Sequence, residues 1–96
     1  SRKDIRRITQ LQLNELVLLM KDDYAIDVAF SKHALDWLAE AGFHPEFGAR
    51  PLKRVIQRRI LNRLSDALLL DELKPNQTTI VDVFDDTVVL RQPSST

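Results

Sequence analysis

The sequence has no cysteine, and only two glycines, Gly42 and Gly48, in 96 residues. The first absence excludes a disulfide framework, thiol chemistry and any cysteine-based zinc site. With two histidines, His33 and His44, no metal site is expected. Scarce glycine beside plentiful Leu, Ile and Val argues for an ordered, helix-rich fold rather than a disordered chain. Net charge is missing too, since 14 Lys and Arg balance 14 Asp and Glu. No global field therefore draws nucleic acid or a membrane surface, and neither partner is expected. No apolar run reaches a transmembrane length, and Ser1-Arg2-Lys3-Asp4 does not read as a secretory leader. A cytoplasmic location follows as the expectation.

The motifs of common catalytic machinery are also missing. There is no Gly-x-x-x-x-Gly-Lys-Ser/Thr phosphate loop, no Gly-x-Ser-x-Gly and no metal-binding helix motif. Phosphoryl transfer needs a phosphate cradle, a magnesium ion and a positioned nucleophile, which these residues cannot assemble alone. The chain is expected not to be an enzyme by itself. His44 has the chemistry of a general base, but no nucleophile or orienting carboxylate is placed for it.

What is present reads as one domain, 1–96, of order α-β-α-α-β-β. Lys3 to about Lys21 is helical, with Ile5, Ile8, Gln12, Leu16 and Leu19 defining one face. Leu11, Val17, Leu18 and Met20 fall on other faces. A helix this apolar is expected to be covered on more than one side, so self-association through it is expected of the isolated domain. Tyr24–Phe30 alternates as a strand with Ile26, Val28 and Phe30 inward. Ser31 then caps a helix from Lys32 to Ala41 that buries Leu35, Leu38 and Trp37. Gly42 stands where a left-handed terminating glycine is expected. Phe43 and Phe47 should anchor the following connection against the core.

A longer helix runs from Pro51 to roughly Leu70, with Leu52, Ile56, Ile60, Leu64 and Ala67 on one stripe. Between Arg50 and Arg63 it carries six cations and no acid. Arg54 and Arg58 share its outer face, and Arg59 and Arg63 are expected to pair with local acids. Thr78–Phe84 and Thr87–Arg91 form a hairpin about Asp85-Asp86. Gln92 to Thr96 reads as a frayed tail. The fold class is α+β, a small three-stranded sheet packed with helices.

The stretch on which the rest is organised is Gly48-Ala49-Arg50-Pro51. Pro51 suits the first helical position, because its φ is preset and its missing N–H would be unpaired there. Arg50 is thereby held beside a helix N-terminus, where free N–H groups and the macrodipole favour an anion. Its planar fork matches two phosphate oxygens at once.

Gly42-Phe43-His44-Pro45-Glu46-Phe47-Gly48-Ala49-Arg50-Pro51-Leu52-Lys53-Arg54-Val55-Ile56-Gln57 resembles a signature of the Clp family of AAA+ chaperones. The resemblance covers nearly the whole chain. It is strongest to the C-terminal small (lid) subdomain of the second ATPase module of ClpB-type disaggregases, with ClpC and ClpA unfoldases that feed a protease as the alternative. It implies that Arg50, with Ala49 and Gly48, is the sensor-2 element touching the phosphates of ATP or ADP. The magnesium ligands would lie outside this chain. Ile8 and Leu11 become candidates for adenine contact. The implied partners are the large subdomains of the same chain and of a neighbouring subunit in a hexamer. Relatives often carry Asn-Pro in the long helix where this chain has Asn62-Arg63, which implies a straighter helix here. A standalone binding module, using the basic helix on nucleic acid or an acidic partner, is the competing class. It would want excess positive charge with aromatics among the cations.

Overall fold

The computed structural model describes residues 2–46, 48 and 51–92, the side chain of Arg2 excepted. Helix α1 spans Arg2–Tyr24, strand β1 Asp27–Phe30 and helix α2 Lys32–Ala41. A continuous helix, α3, then runs in three segments: α-helical Leu52–Val55, π-helical Ile56–Leu61 and α-helical Asn62–Leu69. Strands β2 (Thr78–Phe84) and β3 (Thr87–Arg91) close the fold. This is the expected α+β order.

The sheet order is β1-β2-β3, with β1 parallel to β2 and β2 antiparallel to β3. A parallel pair needs a long crossover, and α2 with α3 supplies it. The antiparallel pair needs only a two-residue turn. Asp85 and Asp86 both adopt positive φ, 53° and 61°, the backbone that a tight hairpin demands. Val28, Thr79, Val81, Val83 and Val88 face the helices and are buried. They meet Leu38 of α2, Leu13, Leu16 and Met20 of α1, and the α3 stripe.

That stripe is as the spacing predicts: Leu52, Ile56, Ile60, Leu64 and Ala67 are all buried. The helix bearing it is not α-helical throughout, since Ile56–Leu61 is π-helical. Four residues advance about 400° on an α-helix, so side chains four apart drift by about 40° each time. A wider π turn subtracts that drift and keeps Ile56, Ile60 and Leu64 on one line. Asn62 accordingly donates its N–H to Gln57 O, five residues back. The helix ends on a Schellman motif: Glu72 N–H bonds Ala67 O at 2.8 Å and Asp71 N–H bonds Leu68 O at 3.1 Å. Asp71 takes the left-handed position, φ 59°.

Other boundaries and faces depart from the pattern reading. Helix α1 continues to Tyr24, and Ala25, at φ 58°, turns the chain, so β1 starts three residues later than expected. The buried line of α1 is Ile5, Thr9, Leu13, Leu16 and Met20. Ile8 and Leu19 are exposed instead, and Gln12 is half-buried. The shift arises because Thr9 can be buried at no cost in unpaired groups, its hydroxyl donating to Ile5 O at 2.7 Å.

Trp37 is half-buried rather than core. Its Nε1–H donates to Asp86 Oδ1 at 2.7 Å, and Arg59 lies over its ring at 5.8 Å. Arg59 thus meets an aromatic face where an acid was expected, and among the described residues neither it nor Arg63 makes an ion pair. Gln92 follows β3 as exposed coil, and 93–96 lie outside the described residues.

Candidate functional site

The connection between α2 and α3 is built from short-range constraints. Ser31 starts α2 by accepting the Ala34 N–H on its hydroxyl at 3.0 Å, as its position before Lys32 predicts. At the other end Gly42 closes α2 with N–H to Leu38 O at 2.8 Å. Its φ is −87°, so the left-handed role expected of it is wrong. Glycine is required there for contact: an added Cβ would sit 2.6 Å from Leu52 Cδ1 and 2.9 Å from Leu52 Cα. The end of α2 and the start of α3 therefore touch backbone to side chain.

Between them lies a five-residue loop clamped at its ends. His44 N–H bonds Gly48 O at 2.8 Å, and Gly48 N–H returns to His44 O at 2.7 Å. Gly48 has φ +62° with nothing within 4 Å of a notional Cβ, so its glycine requirement is conformational. Within the loop Glu46 N–H donates to His44 Nδ1 at 3.1 Å, which fixes that nitrogen as an acceptor. Phe43 is exposed and does not anchor the loop in the core. Phe47, Ala49 and Arg50 lie outside the described residues. Pro51 has helical φ and ψ, −70° and −12°, and its carbonyl accepts the Val55 N–H at 3.0 Å. It stands one position before the helix proper rather than at its first residue.

Beside the loop an open cleft of about 740 Å³ separates the start of α1 from the end of α2. Lys3, Ile5 and Arg6 form one wall, and Asp36, Glu40 and Phe43 the other. An Arg6–Asp36 ion pair at 3.0 Å crosses it. Ile8 and Leu11 do not line this cleft and lie on the outward face of α1 with Leu18. Beyond the loop, Lys53, Arg54 and Arg58 are exposed along α3. Among the described residues no group of three or more His, Asp or Glu could hold a metal ion, and no helix is long and apolar enough to cross a membrane.

Pattern reading located the loop and its two glycines but assigned Gly42 the wrong reason. It also missed the Trp37–Asp86–Arg59 cluster, whose members are 22 to 49 residues apart in sequence. No local periodicity signals such a contact.

The family model of the C-terminal, D2-small domain of ClpB protein matches residues 1–81. The chain belongs to this family. Among its curated relatives, Probable chaperone protein ClpB 1 of Chlorobaculum tepidum is 38% identical over 92 residues, covering 96% of this chain and 21% of that protein. Chaperone protein ClpB 2 of Nostoc sp. is 45% identical over 82 residues, or 85% of this chain and 9% of that protein. Chaperone protein ClpB of Porphyromonas gingivalis is 37% identical over 89 residues, 93% and 10% respectively. The chain thus spans only about a tenth to a fifth of these relatives.

Proposed function

We propose that this ClpB D2-small domain is a nucleotide-sensing lid of an ATP-driven protein disaggregase. Its parent works as a cytoplasmic hexamer, and Arg50 is the sensor-2 residue reaching the phosphates of ATP or ADP held mainly by the large subdomain. The observation that carries this reading is the clamped loop directly before α3. In sequence, the pair of backbone hydrogen bonds between His44 and Gly48 precedes Ala49-Arg50, and Leu52, which packs against Gly42, follows it. A loop closed between 44 and 48 is a short tether for an arginine two residues further along the chain, and a short tether lowers the entropy lost on meeting an anion. Rotation of the domain as a unit would then carry Arg50 toward or away from the phosphates, coupling nucleotide state to subdomain angle.

The outward face of α1 supports the ring-assembly half of the reading. Leu11 and Leu18 are 59% and 63% exposed, and Ile8 and Leu19 flank them. Such a stripe on a small domain is of the kind that is covered in an assembly. Ile8 and Leu11 serve as the adenine-side contacts or as part of the face toward a large subdomain, of the same chain or of the neighbouring subunit. The basic helix suits the competing nucleic-acid reading less well. The aromatic that does meet its cations, Trp37, is tied to the carboxylate of Asp86.

The domain alone is not an ATPase. Calorimetric titration of the 96-residue chain with ATP, alongside a turnover assay, tests this. The expected result is no turnover and no micromolar affinity; either one, surviving repeated purification, would overturn the lid reading.

A further inference from the structure

Strand β1 is an edge of the sheet, pairing only with β2. In a parallel ladder each residue turns both its N–H and its C=O to one side, and the side alternates along the strand. Ser31 N–H bonds Val81 O at 3.0 Å, and Phe30 is the register partner of Val81. Ala29 and Ser31 therefore face β2. The N–H and C=O groups of Val28 and Phe30 face the open edge. Among the described residues these four groups have no main-chain partner.

The edge is not open to bulk solvent on all sides. It forms one wall of a groove of about 440 Å³ whose opposite wall is α1, through Gln10, Asn14 and Val17. Lys32 and Leu35, in the first turns of α2, close the end of the groove next to Phe30. The groove thus offers main-chain donors and acceptors at two-residue spacing, an apolar strip of Val17, Phe30 and Leu35, and a cation at one end. No acid lines it.

We propose that this groove is a binding site for an extended peptide segment, which adds as a fourth strand along β1. Another extended chain satisfies both outward pairs at once, because its own groups recur at the same spacing. Lys32, at the start of a helix where the macrodipole already favours negative charge, selects a segment with a carboxylate at that end. The Gln10 and Asn14 side chains, now bonded to each other at 3.2 Å, face the segment from the helical wall. With a strand of four residues the binding is weak and fast.

The test is amide-resolved NMR titration of the 96-residue chain with a six-residue peptide of alternating threonine and valine that ends in a free carboxylate. Shifts are expected at the amides of Val28 and Phe30. The same peptide methylated on alternate backbone nitrogens keeps its side chains but cannot pair, and should bind about tenfold more weakly or not at all. Lys32→Glu, or amidation of the peptide's terminus, should weaken binding several-fold. Equal binding of the methylated peptide would overturn the proposal, as would shifts centred on Leu11 and Leu18 or none at millimolar peptide. Shifts of Val28 and Phe30 on concentrating the protein alone would assign the edge to a second copy and overturn it as well.

Discussion

Gly42 and Leu52 approach so closely that a methyl group on the glycine would lie 2.6 Å from Leu52 Cδ1. Leu52 is fully buried, and its Cα would lie 2.9 Å from that methyl group, so the contact cannot relax by a side-chain rotation alone. This one approach joins α2 to α3 and sets where the clamped loop sits. Gly48, six residues on, is required for a different reason, its positive φ.

The two glycines should therefore respond differently to alanine. Gly42→Ala overpacks the joint and is expected to cost about 1–3 kcal/mol. Gly48→Ala meets no atoms and pays only left-handed backbone strain, about 1–2 kcal/mol. Gly48→Asn, which tolerates that conformation, should recover part of the loss, whereas Gly42→Asn should be worse than Gly42→Ala. Urea unfolding of the four variants distinguishes the two causes.

Thr79 is fully buried on β2, and its hydroxyl has no hydrogen-bond partner among the described residues. An unpaired buried hydroxyl is a desolvation cost without return. Thr79→Val keeps the shape and should stabilise the fold by about 1 kcal/mol. Thermal unfolding followed by circular dichroism measures it. A destabilised valine variant would mean that the hydroxyl has a partner.

Asp82 ties the sheet to α2. Its Oδ1 accepts from Ser31 Oγ at 2.6 Å and from the Val83 N–H at 2.8 Å, and Arg91 pairs with Oδ2 at 3.1 Å. These bonds, the Ser31 bond foremost, hold its carboxyl below the usual carboxylate range. A depressed folded-state pKa gives stability that is present above the unfolded value, about 3.9, and lost as pH falls through the folded value. The native chain should thus exceed Asp82→Asn in stability at neutral pH, with the gap narrowing below about pH 4. Denaturant midpoints of both proteins across that range check the sign.

Much of this was legible from the residues. The Lys32–Ala41 helix with its Ser31 cap, both hairpin strands and the five-residue stripe of α3 follow from capping chemistry and periodicity. These are local signals, repeated over several residues. The buried face of α1 was not legible, because its line passes through Thr9, whose hydroxyl is satisfied only once the helix exists. The π segment was hidden for a related reason: spacing by four fits an α-helix approximately, and only packing against a sheet decides how the drift is removed. Side-chain meetings across the fold, such as Arg59 on Trp37, leave no trace in spacing at all. For the candidate site, the loop was readable from Gly48-Ala49-Arg50-Pro51, but the Gly42–Leu52 approach was not.

The central claim, that Arg50 is the sensor-2 residue that reads phosphate, is tested most directly by ATP turnover of the full-length parent carrying Arg50→Ala. Arg54→Ala is the control, four residues on and exposed on the basic helix. A charge-assisted bond to phosphate is worth about 1.5–3 kcal/mol, so Arg50→Ala should lower ATP affinity or turnover by roughly ten- to a hundred-fold. Arg54→Ala should leave both near the parent's values. Equal losses from the two substitutions would place the effect in the general positive field of α3 and contradict the sensor role of Arg50.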